Sequence, residues 1–144
     1  WNDYLPDQPL ALPLALAPGD RLACEPLGTS LQGSILVVRR GTCTFQLKTL
    51  HAEAAGASAV VVYNNLPLAG YFIPSAANFS DLPGIPIFMI TMEEGERWWD
   101  AVAGNPEAPQ QLSIASTSCN EPFLEEAPAE DNSSGTSVAG SLSE

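Results

Sequence analysis

Two adjacent arginines, Arg39 and Arg40, follow a short β-branched run, Ser34-Ile35-Leu36-Val37-Val38, and precede Gly41-Thr42. Guanidinium groups at the end of a strand, just before a helix, lie where backbone N–H groups and the helix dipole already favour an anion. Such a pair suits a carboxylate, from an acidic side chain or a peptide C-terminus. The alternative is that one arginine pairs with the domain's own acids. Other chemistries find less support. His51 is the single histidine, and no G-x-S-x-G elbow accompanies it, so a surface or partly packed histidine is expected and no catalytic residue is assigned. The three cysteines, Cys24, Cys43 and Cys119, form no C-x-x-C, so neither a metal site nor a cofactor is expected. Trp98-Trp99 cannot both face inward on a helix. One is expected to pack and the other to stand exposed as a binding anchor or half-buried rim residue.

The elements that must position these residues are legible as hydrophobic patterns. Ser34 to Val38 reads as a strand buried on both faces. Thr44 to Ala55 reads as a helix with an apolar stripe of Phe45, Leu47, Leu50 and Ala54, closed by Gly56. Ser58 to Tyr63 is a second buried strand, stopped by Asn64-Asn65. Strand, helix and strand in this compass predict a parallel βαβ unit with a right-handed crossover. Leu66 to Pro83 is a long exposed connection. Ile85 to Ile90 predicts a third strand. Thr91 caps a second helix with Glu94 three residues on, a capping box, and Gly104 ends it. Gln111 to Thr117 predicts a final strand. Residues 1–21 contain four prolines among Leu and Ala, and read as an extended arm along the domain edge.

Composition bounds the function. The chain has 144 residues and a net charge of -12, from 17 acids against 5 bases, which excludes the basic footprint of a nucleic-acid binder. Six of the acids lie from Asn120 onward with no Lys or Arg, so residues 120–144 read as an acidic Ser/Gly/Pro-rich tail, solvated or engaged by a partner. No apolar run reaches the roughly 20 residues that span a bilayer. Two sequons, at Asn78 and Asn132, with the cysteines and the proline-rich start, favour the secretory lumen or extracellular space.

The run from Gly33 through Arg39-Arg40-Gly41-Thr42-Cys43-Thr44-Phe45 to Lys48 resembles the core signature of protease-associated (PA) domains, a strand entering an R-G-x-C-x-F turn and a helix bearing a lysine. Ala54-Ala55-Gly56-Ala57 to Asn65, Ile85-Pro86 to Ile90, and Ala23-Cys24-Glu25-Pro26 resemble three further segments of that family, in the same order. The resemblance covers about Leu22 to Thr117, within a PA-type domain expected over residues 22–119. It implies a mixed α/β fold: a compact β-sandwich or open barrel with a parallel βαβ core and two or more flanking helices. It also implies a non-catalytic module that binds protein or peptide, as in vacuolar sorting receptors, transmembrane RING ligases and PA-containing proteases, and that meets a membrane only through a host protein. In the sorting receptors the matching loop resembles part of the cargo site, which carries a ligand-binding role to Arg39, Arg40, Gly41 and Thr42. The alternatives are a substrate-access or regulatory domain of a larger enzyme and a structural subunit of an extracellular assembly. Cys24 and Cys43 are the best disulfide pair, with a buried free thiol or pairing to Cys119 left open.

Overall fold

The computed structural model describes residues 9–107 and 110–114. Five strands, β1 (Leu10–Leu16), β2 (Ile35–Arg39), β3 (Ala59–Tyr63), β4 (Ile87–Ile90) and β5 (Gln111–Ile114), and two helices, α1 (Phe45–Ala54) and α2 (Met92–Ala103), build it. The strands form one open sheet in the order β4-β3-β2-β1-β5. The first four are parallel and β5 runs antiparallel to β1, giving the mixed sheet and parallel βαβ core expected. β2 and β3 are central, and their β-branched runs are buried on both faces. Leu36, Val38, Val60 and Val62 face one cluster with Ala52 of α1. Ile35, Ala59 and Val61 face another, where Trp98 of α2 packs. The helices therefore cover opposite faces of the sheet.

The proline-rich segment does not run along an edge. Residues 10–16 are an interior strand between β2 and β5. Proline is tolerated there because the ladder to β5 is carried by neighbours of the other parity: Leu14 N–H donates to Gln110 O at 2.8 Å. The Pro13 nitrogen thus faces the other side, and pairing with β2 begins only at Leu14, opposite Ile35.

Helix α1 begins where Thr44 Oγ1 accepts from Leu47 N–H, and it closes before Gly56, whose φ of 94° needs a glycine. Its orientation departs from the expected stripe at Leu47 and Ala54, while Phe45 packs against the core. Leu47 is 36% exposed and Ala54 is exposed, with Phe45 and Leu50 half-buried, while Gln46, Lys48, Thr49 and Ala52 are the buried residues. The polar side chains win because each has a buried task. Gln46 holds the 66–83 loop, its amide donating to Asp81 O at 2.7 Å and accepting from Ala77 and Asn78 N–H. Lys48 donates to Leu22 O at 2.5 Å. Thr49 bonds back to Phe45 O at 2.8 Å.

Helix α2 is capped by Thr91, whose Oγ1 accepts from Glu94 N–H at 3.1 Å. The expected capping box is half realised, because the Glu94 carboxylate instead accepts from the Tyr71 hydroxyl at 3.3 Å. Gly95 is the buried residue of α2 and lies directly against the Tyr63 side chain. The two tryptophans separate to different clusters, and both are half-buried, so neither is an exposed anchor.

Candidate functional site

The parallel strands β2 and β3 end level with one another, Arg39 opposite Tyr63. Ligands in open α/β sheets collect at this carboxyl edge. The segment from Asp20 to Cys24 crosses it as a strap, its Arg21 O accepting from Arg39 N–H at 2.7 Å. Arg21 and Ala23 both have positive φ, 71° and 55°, so the strap is held in a shape that L-residues seldom adopt. Its ties are the Cys24–Cys43 disulfide (Cα–Cα 5.7 Å), the Lys48 hydrogen bond, and His51 Nδ1 at 2.9 Å from Ala23 O. The bridge joins the two cysteines paired in the sequence; Cys119 lies outside the described residues.

The two arginines diverge. Arg40 is committed to structure: Nη1 donates to Asn64 Oδ1 at 3.1 Å, and the guanidinium sits 4.9 Å from the Phe72 ring centroid. Asn64 in turn donates to Gly70 O at 3.2 Å. Arg40 thus fixes the base of the 66–83 loop. Arg39 turns toward α2 and lines a depression of about 330 Å3 with Asp20, Arg21 and Glu96. Its guanidinium makes no hydrogen bond or ion pair among the described residues.

Beside it, Arg21 is fully engaged. Nη1 donates to the Tyr63 hydroxyl at 3.2 Å and to Glu96 Oε1 at 3.1 Å, and the guanidinium stacks 4.2 Å from the Trp99 ring. The Arg21–Glu96 pair is partly exposed and contributes only about 0–1 kcal/mol. It satisfies the Arg21 guanidinium within the fold, between strap, β3 and α2. Burial pushes the Tyr63 hydroxyl above the ordinary phenol range, so it stays protonated and accepts from Arg21 as a neutral group. Arg21, Glu96 and Trp99 carry no local signal in the sequence, because 75 residues separate the bonded pair. Tyr63 could have been found from the parallel register alone.

Gly41 and Thr42 form the lip of the turn. Cys43 N–H donates to Gly41 O at 2.8 Å, closing a three-residue turn around Thr42 at φ 69°. A β-branched residue there is strained by about 1–3 kcal/mol. Thr42→Gly is expected to raise unfolding stability by about 1 kcal/mol in a denaturant titration.

The 66–83 loop stands beside this edge and is exposed, with Ile73 at 84% and Phe79 at 87%. Asn78 is exposed, and its Oδ1 accepts from Ser80 N–H and Oγ at 3.0 and 2.8 Å. The second sequon, Asn132, lies outside the described residues. No group of three or more His, Cys, Asp or Glu among the described residues is placed to hold a metal.

The family profile described as "PA domain" matches residues 9–98, and so takes in β1 and most of the segment recognised by motif. The chain is 34% identical over 93 residues to "Signal peptide peptidase-like 2" of Arabidopsis thaliana, covering 64% of this chain and 17% of that protein. It is 38% identical over 77 residues to "Vacuolar-sorting receptor 1" of Pisum sativum, covering 49% of this chain and 12% of that protein. Its fold superposes on a zinc aminopeptidase from Bacillus subtilis with a TM-score of 0.60 and 27% identity, over 76% of this chain and 24% of the other. The chain spans under a quarter of each of these proteins. With the profile covering more than half of its residues, the chain belongs to the PA domain family.

Proposed function

We propose that this chain is a non-catalytic recognition module of the secretory or extracellular space, which binds a protein or peptide segment through a carboxylate held by Arg39. The observation that carries this reading is the contrast among three arginines at one sheet edge. Arg21 and Arg40 are neutralised or locked, whereas among the described residues Arg39 alone keeps an uncommitted guanidinium facing a depression. A charge-assisted contact there contributes about 1.5–3 kcal/mol when partly shielded from water. The strained Gly41-Thr42 lip and the apolar 66–83 loop supply neighbouring contacts for the rest of the segment. The disulfide and the similarity to a sorting receptor support the secretory setting.

A second reading is favoured by the peptidase relatives. There the module regulates substrate access to a larger body, and its surface meets that body and not a free ligand. A peptide array separates the two. Arg39→Ala is expected to weaken binding of carboxylate-bearing peptides at least tenfold with unfolding stability unchanged. Arg40→Ala is expected to loosen the 66–83 loop with a smaller effect on those peptides. If Arg39→Ala binds every array member as wild type does, the carboxylate reading is lost.

A further inference from the structure

Lys48 is the chain's single lysine, and it is 0% exposed. Its ammonium donates to the neutral Leu22 carbonyl and lies 3.7 Å from Cys24 Sγ. No carboxylate is within ion-pair distance of it among the described residues; Asp20 acts on it only through its field. The other titratable group on this face of α1 is His51, whose Nδ1 is occupied by Ala23 O. The oxidised protein therefore keeps a buried cation without an anion. The atom best placed to supply that anion is the sulfur at the end of the disulfide.

We infer that the Cys24–Cys43 bridge is a thiol–disulfide exchange site for a dithiol reductant, with Lys48 receiving Cys24 as the leaving thiolate. A thiolate of the dithiol attacks Cys43 Sγ. The S–S bond breaks, its electron pair departs on Cys24, and a mixed disulfide forms on Cys43. The dithiol's second thiolate then attacks the reagent's own sulfur in that mixed disulfide. Cys43 is released and takes a proton, and the reagent leaves as its cyclic disulfide. Two electrons pass to the protein. One of the dithiol's protons ends on Cys43 and the other goes to solvent, because Cys24 stays ionised beside Lys48.

The direction of attack follows from leaving-group quality, since the sulfur with the better-stabilised thiolate leaves faster. Cys24 has a full positive charge at 3.7 Å. Two carbonyl oxygens, of Leu22 and Gly41, lie at 3.8 Å and oppose ionisation, but they carry only partial charges. A cation beside a cysteine lowers its thiol pKa, and a stabilised reduced form makes the disulfide more oxidising. Opening the bridge unties the strap from the turn at Gly41-Thr42, so the redox state of this pair sets the rigidity of the carboxyl edge.

The test equilibrates wild type and Lys48→Met with graded dithiothreitol at pH 7, followed by acid quench, alkylation and peptide mass analysis, so that Cys119 is counted separately. The Lys48→Met bridge is expected to be at least tenfold harder to reduce. A difference below threefold overturns the inference. A second measurement needs only the wild-type chain. In the reduced protein, the alkylation rate of Cys24 is expected to rise with a midpoint below the roughly 8.5 of an ordinary cysteine and below that of Cys43. A Cys24 midpoint at or above that value overturns it equally.

Discussion

Replacing Gly95 by valine is expected to abolish cooperative unfolding, and Gly95→Ala is expected to cost at least about 3 kcal/mol. A Cβ at this position would fall inside the van der Waals envelope of Tyr63, on Cβ and Cγ and 2.7 Å from Cδ1. Tyr63 cannot give way. It is fully buried in the central strand β3, its ring meets Trp99 edge-on, and its hydroxyl is bonded to Arg21. The helix would have to move outward instead, which withdraws both Trp98 and Trp99 from the clusters they seal. Overpacking commonly costs about 1–3 kcal/mol, and the lost tryptophan burial adds to that. Alanine's better helix propensity returns at most about 1 kcal/mol. Chemical denaturation followed by tryptophan fluorescence reads the effect directly. A Gly95→Ala protein within about 1 kcal/mol of wild type would mean that α2 is free to slide on the sheet.

The same contact shows where the sequence is informative. Ile35 to Val38 and Ala59 to Tyr63 announced buried parallel strands because two-sided burial leaves no room for polar alternation. Thr44, Gly56 and Thr91 marked helix ends because caps are local hydrogen-bonding events. The inward face of α1 was not legible in this way. Periodicity favours Leu47 and Ala54 as core, yet Gln46 and Lys48 are buried, since their partners lie 26 to 35 residues away in the chain. Pro13 misled for a related reason: whether a missing N–H matters depends on which neighbour the ladder needs at that parity. At the candidate site, type and spacing single out Arg39 and Arg40 as a pair. Which of them is uncommitted depends on Asn64, Phe72 and Glu96, and only the fold brings those to the same edge.

Lys48→Met is expected to stabilise the domain at neutral pH and to erase an alkaline rise in stability that wild type shows. Burial lowers the Lys48 pKa to about 8 from its ordinary 10.5, with the field of Asp20 opposing. The unfolded chain therefore binds more protons than the folded one between those two values. Unfolding free energy then increases with pH across that window, and the full cost of the buried ammonium is borne below it. The shift corresponds to about 3 kcal/mol at pH 7. Methionine fills similar space without charge, but it leaves Leu22 O unsatisfied at about 1–2 kcal/mol. The net gain at pH 7 is about 1–2 kcal/mol. Near pH 10 the order reverses, because wild type by then holds a neutral amine that still bonds Leu22 O. Tyr63, whose raised pKa works in the opposite sense in that range, is common to both proteins and cancels in their difference. Thiol-free denaturant titrations from pH 7 to 10 give that difference, and it should change sign within the window. Parallel curves for the two proteins would show the ammonium to be solvated, and would remove the stored cost that makes the Cys24–Cys43 bridge easy to open.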